Sequence, residues 1–214
     1  MKKLIITILI LLGLGFAVWV FGTTQGANSP GTVASDNATG TIAWVNPTNA
    51  TSSDNVYAVA TNSGGSNSPS HYLKATNFGF SIPAGATIDG ILVEIEKKSQ
   101  SAFCKDINVL IIKSDGSLGT ENKADIINNW STSDTYKSYG SSSDLWSETW
   151  TLADINDADF GVVISANIIG FTTSSIDHIR ITITYTEAVA GGGQKVQIKS
   201  GKFSIGSGKV FIKN

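Results

Sequence analysis

Glu94 and Glu96, set two apart in the run Ile91-Leu92-Val93-Glu94-Ile95-Glu96, are the carboxylates of this chain whose spacing best suits a reaction. On a β-strand they share one face with their carboxyl groups about 7 Å apart, within the range used by the paired acids of glycoside hydrolases. A strand with one wet side produces the same spacing without any chemistry, and the neighbouring Lys97 and Lys98 suggest a solvated face. The two histidines, His71 and His178, complete no Ser-His-Asp or metal-ligand spacing and read as surface or strand-end residues. Cys104 is the single cysteine, so no internal disulfide framework exists, and it reads as a small residue near a strand start. A secreted glycoside hydrolase is therefore the weakest functional reading, and the expectation is a protein that is not an enzyme.

Two groups of residues suit binding instead. Asp154, Asn156, Asp157 and Asp159 crowd oxygen ligands of the kind calcium prefers, without the central Gly and distal Glu of an EF-hand loop; the same residue types also cap helices and close turns. No other cofactor is implied. Trp130, Tyr136, Tyr139, Trp146 and Trp150 gather in or beside one long polar segment, where exposed rings next to Asn and Asp would suit sugar stacking. The competing reading places these rings in the core.

These residues must be positioned by strands. From residue 41 onward the chain alternates short β-branched and aromatic runs with Gly, Asn, Ser and Pro, and nothing outside the N-terminus sustains a 3.6-residue period. Eight strands are predicted: 41–46, 56–61, 71–81, 87–97, 106–113, 144–150, 160–168 and 176–186. In the fourth, Ile91, Val93 and Ile95 point one way; in the last, Ile179, Ile181, Ile183 and Tyr185 do. The fold class is all-β, an eight-stranded jelly-roll-like sandwich. The gap from Ser114 to Ser143 reads as a long functional or mobile loop, and Thr151-Leu152-Ala153-Asp154 as the start of a short helix with Thr151 as N-cap.

The ends of the chain carry the address. Leu4 to Gly22 is an uncharged apolar run behind Lys2 and Lys3, roughly 28 Å long as a helix, and reads as a transmembrane or signal segment that places the rest outside the cytoplasm. The layout is then a signal peptide or signal anchor over 1–26, a polar spacer over 27–40, the sandwich over 41–187, a Gly-rich hinge over 188–193 and a heptad β-repeat tail over 194–214. Residues 27–187 carry net charge −9, whereas Lys195, Lys199, Lys202, Lys209 and Lys213 make the tail basic. An acidic body argues against nucleic acid as the main partner; the tail suits docking on a neighbouring subunit or on anionic polymers.

The segments Trp44-Val-Asn-Pro-Thr-Asn-Ala50, Asn77-Phe-Gly-Phe-Ser-Ile-Pro-Ala-Gly-Ala-Thr-Ile-Asp-Gly90 and Asp144-Leu-Trp-Ser-Glu-Thr-Trp-Thr-Leu-Ala-Asp-Ile-Asn-Asp-Ala-Asp-Phe-Gly161 resemble a module of uncharacterised phage structural and bacterial surface proteins. The resemblance covers residues 41–186 and implies a β-sandwich in a structural or surface setting, with no catalytic residues carried over. The combined expectation is an exported structural or adhesive protein on the extracellular face of the membrane or secreted. It is held by residues 4–22, with a glycan or a neighbouring subunit, including a second copy of itself, as partner; a carbohydrate-binding module is the alternative.

Overall fold

Alternation of β-branched and polar residues sets the two longest strands. A computed structural model describes residues 22–188, together with the backbone of three short strands at 196–199, 202–204 and 210–212. In chain order the strands are β1 (Gly22–Asn28), β2 (Thr32–Asp36), β3 (Ala58–Asn62), β4 (Ser68–Pro69), β5 (Tyr72–Thr76), β6 (Thr87–Ser99), β7 (Cys104–Ile112), β8 (Thr135–Gly140), β9 (Gly161–Ile168) and β10 (Thr172–Thr186), then β11 (Val196–Lys199), β12 (Lys202–Ser204) and β13 (Val210–Ile212). A 3-10 turn spans Pro47–Ala50, and α1 spans Leu152–Asn156.

Ten of these strands form two five-stranded antiparallel sheets. The first is ordered β1-β10-β6-β8 with β3 also on β10, and the second β2-β5-β9-β4 with β7 also on β9. Consecutive strands mostly alternate between the sheets, so nearly every connection crosses from one layer to the other. Ile91, Val93 and Ile95 of β6 and Ile179, Ile181 and Ile183 of β10 are fully buried, as are Leu73, Val109, Ile111, Val162 and Ile164 from the second sheet. Apolar residues at every second position put one face of each sheet into a shared core.

Several expectations need correction. The span 27–40 is not a free spacer: it holds the end of β1 and all of β2, and among the described residues the strands begin at Gly22 rather than Thr41. Thr, Ser and Asn suffice there because both are edge strands, whose ladder bonds to β10 and β5 require backbone groups and not apolar side chains. Residues 41–46 make only isolated bridges, Ile42 to Ser70 and Val45 to Val59. Residues 144–150 are not a strand either, because Trp146 and Ser147 take left-handed backbone angles with φ of 58° and 55°. The sandwich thus has ten strands where eight were expected.

The gap between Ser114 and Ser143 proves to be structured. It contains β8, and its first part runs along the open edge of β7: Gly119 N–H donates to the Ile111 carbonyl, Lys123 N–H to Val109 and Trp130 N–H to Cys104. It covers a sheet edge that would otherwise present unpaired groups. The helix expected after Thr151 is present, with a full capping box between Thr151 and Asp154.

In the tail, β12 pairs antiparallel with β11 while β13 pairs parallel with it, so the three repeats do not form a simple meander. Residues 1–21 of the expected N-terminal segment and 189–193 of the expected hinge lie outside the described residues, whereas residues 22–26 belong to β1. Among the described residues no helix is long and apolar enough to cross a membrane.

Candidate functional site

The most unusual chemistry lies between the sheets. Lys97 continues the inward parity of Ile91, Val93 and Ile95 on β6, and its side chain is only 6% exposed. Facing it from the other sheet is Asp106 on β7, whose side chain is fully buried. Strict alternation would turn Asp106 outward with Asn108, since Val109 and Ile111 point inward; a β-bulge between Asp106 and Asn108 resets the parity and turns the carboxylate in.

Donors converge on that carboxylate. Oδ1 accepts from Trp130 Nε1 at 2.7 Å and from Lys97 Nζ; Oδ2 accepts from Tyr139 Oη at 2.7 Å and from the Asp125 backbone N–H at 3.0 Å. Lys97 Nζ also bonds Tyr139 Oη and lies 4.4 Å from the centre of the Trp130 ring. Burial pushes the Lys97 ammonium down from its ordinary value, opposed by the charge of Asp106. Burial, reinforced by Asp106, pushes the Tyr139 phenol far up, so it stays a donor. A cavity of about 230 Å³ lined by Asp125, Asn128, Ser131, Thr135 and Lys137 opens beside the pair.

Above the first sheet lies a charged outer face. Arg180 of β10 holds Glu94 through two bonds, Nε to Oε2 at 2.9 Å and Nη2 to Oε1 at 3.2 Å, and stacks 4.0 Å from the Tyr136 ring centre. Tyr136 Oη and Ser29 Oγ bond the two ring nitrogens of His178, each at 2.8 Å. Glu96, Asp134 and Asp177 bring carboxylate oxygens within 4.8 Å of one another. Asp177 is occupied by the backbone N–H groups of Asp54 and Asn55, and Lys98 stands 3.6 Å from Asp134. Glu94 is therefore the partner of an arginine on a sheet face.

The aromatic residues proposed for sugar stacking are drawn inward. Trp130, Tyr139 and Trp146 are buried, Trp146 completely. Trp146 donates from Nε1 to the Ile91 carbonyl at 3.0 Å, and Gly140, at φ 75°, allows the close approach: a Cβ there would lie 2.7 Å from the indole nitrogen. Trp150 is half-buried edge-on to Phe160, with ring centres 5.5 Å apart, and Tyr136 is held by His178 and Arg180. These five rings form no common exposed platform, because the large apolar surface of an indole is worth more inside a sandwich than in water.

The oxygen cluster of α1 is likewise used locally. Asp154 caps Thr151 and accepts from Ser114 Oγ at 2.6 Å; Asn156 exchanges bonds with the backbone of Ile82; Asp157 accepts from the Asp159 N–H. These bonds hold the helix and its following turn. Cys104 is buried against Ser174 Oγ at 2.9 Å, and burial pushes its thiol up to about 12, so it is not a reactive thiolate. Lys195, Lys209 and Lys213 of the tail lie outside the described residues, and of Lys199 and Lys202 only the backbone is described.

The two poles of the sandwich differ. In the β1 to β10 ladder Gly22 is paired with Thr186, so both ends of the described domain leave from one pole. β10 runs from there to Thr172, about 46 Å away along the strand. At that far pole the Ile169 N–H donates to Phe103, and Phe103 and Phe171 are 57% and 79% exposed.

No family model matches the chain, and no curated protein matches it.

The inward position of Lys97 was available from the parity of Ile91, Val93 and Ile95. Asp106 was hidden by its bulge, and the tip pair Phe103 and Phe171 by the absence of any pairing signal between residues far apart in sequence.

Proposed function

We propose that this protein is a structural or adhesive component displayed on the outer face of a membrane, built as a jelly-roll-like sandwich tethered at one pole and making contacts at the other. The observation that carries this reading is the pairing of Gly22 with Thr186, opposite an exposed tip bearing Phe103 and Phe171. Gly22 is also the last residue of the apolar run that starts at Leu4, so the sandwich follows a candidate anchor with no intervening linker. The basic tail leaves from the same pole, where it suits the anionic surface beneath the domain. Phenyl rings exposed at the tip favour a neighbouring protein subunit as the contact, since burying them removes apolar area from water.

Cell fractionation and surface labelling test this. The full chain carrying Phe171→Cys is expressed in a bacterial host and treated with a membrane-impermeant maleimide; buried Cys104 stays silent. The expected result is a membrane-bound protein labelled on intact cells. Recovery in the soluble cytoplasmic fraction, or labelling only after cells are broken, would overturn the reading.

A further inference from the structure

We propose that the side chains of Lys97 and Asp106 condense into an amide that covalently joins the two sheets. The inference stands independently of where the protein is displayed. It rests on three features of the pair. The groups face one another from opposite layers, β6 and β7, with the amine against the carboxyl group. Both side chains are almost wholly removed from water, and the ring of Trp130 lies over the nitrogen. Hydrogen-bond donors are already aimed at both carboxyl oxygens, from Trp130 Nε1 and Tyr139 Oη.

Ammonium and carboxylate become amine and carboxylic acid by moving one proton along the hydrogen bond that joins them. Burial, which depresses the Lys97 ammonium, favours this neutral form. The Nζ lone pair then attacks Cγ of Asp106 and the C–N bond forms. The carbonyl oxygen gains negative charge, which the donors already in place stabilise. The nitrogen gives up a proton to the departing hydroxyl, the C–O bond breaks and water leaves towards the adjacent cavity. The sum is –NH₃⁺ plus –COO⁻ giving –NH–CO– plus one water, with no oxidant or outside reagent. Two buried charges are exchanged for one neutral amide, which relieves the desolvation cost of the ion pair, while the enclosure slows the reverse attack by water. Proximity replaces an external catalyst, because both partners are held in contact by the fold.

The test is mass mapping of the purified full chain after trypsin. Amide formation blocks cleavage at Lys97, so the expected product is Ala75–Lys98 joined to Asp106–Lys113, lighter than the two peptides by one water. Lys97→Arg and Asp106→Ala each abolish this species, and Tyr139→Phe lowers the joined fraction at early times by removing one donor. Free Asp106–Lys113 at full mass from folded protein, shown by an intact β-sheet circular dichroism spectrum, would overturn the proposal. So would a water loss that maps only to the Asp115-Gly116 turn, where an aspartyl imide loses the same mass. The wild-type map decides the question even if a variant fails to fold.

Discussion

Lys97 sits where a lysine is least at home, and its cost is offset only by its partners. Removing one member of a buried pair strands the other charge, so Asp106→Ala should destabilise the fold by about 3 to 5 kcal/mol in urea unfolding. The double replacement Lys97→Met with Asp106→Leu lacks the amide equally but leaves no charge stranded, so it should be more stable than Asp106→Ala alone; a double variant as unstable as the single one would contradict this account of the pair. A second residue-scale prediction concerns His178. Burial first, then Arg180, hold its imidazole below the ordinary 6.5, against the pull of Glu96, Asp177 and Asp54. With the folded value depressed, the unfolded chain binds the proton first as pH falls. Its contribution is therefore intact above about pH 6.5 and declines below it. The thermal midpoint should drop between about pH 7 and pH 5, and His178→Gln should flatten part of that drop; an unchanged slope would show that other groups cause it. Asp177, raised by burial, acts in the opposite sense at more acidic pH. At this scale alternation made Ile91, Val93, Ile95 and the Ile179 to Tyr185 face readable, and the same rule pointed Lys97 inward. The adjacent Lys98, which does face out, disguised it. Asp106 could not be read, since one unpaired residue in β7 reverses the parity and nothing local marks it.

Among the elements, β6, β7, β9, β10 and α1 were legible because each carries its own signal, either β-branched runs or a capping box. Edge strands β1, β2 and β8 were not. They are polar, and they exist because a neighbouring strand offers a ladder, information that lies elsewhere in the chain. The segment 144–150 failed for the opposite reason: Trp146 and Trp150 have strand-like spacing, but a left-handed turn at Trp146 and Ser147 folds the indole into the core. Two outcomes follow for elements. Thr151→Ala, which removes both the cap acceptor and the partner of Asp154, should cost about 1 kcal/mol in chemical denaturation. Trp146→Ala should cost about 3 to 5 kcal/mol, since it empties a fully buried site and leaves the Ile91 carbonyl without its donor. A loss below 1 kcal/mol would place Trp146 outside the core.

For the whole molecule, the expected layout had the apolar segment at one end, the sandwich between and the basic tail at the other. Within that order, antiparallel pairing of β1 with β10 brings the start and finish of the sandwich together, leaving the loops at Phe103 and Phe171 as the far pole. That polarity was invisible in sequence because it depends on the register of strands separated by most of the domain. It also gives the display proposal its shape: one pole for attachment, the other for contact. Phe103→Ser with Phe171→Ser should leave the melting temperature nearly unchanged while weakening attachment of displaying cells to their partner surface; full attachment would remove the tip from the account. The most direct measurement of the polarity uses the full chain reconstituted in vesicles holding an acceptor dye in the bilayer surface. Donor dyes are attached in turn at Thr186→Cys and at Phe171→Cys, with Cys104 buried and unlabelled. The account predicts strong energy transfer from residue 186 and weak transfer from residue 171, in keeping with the roughly 46 Å of β10 between them; equal transfer from both, or none from residue 186, would contradict it.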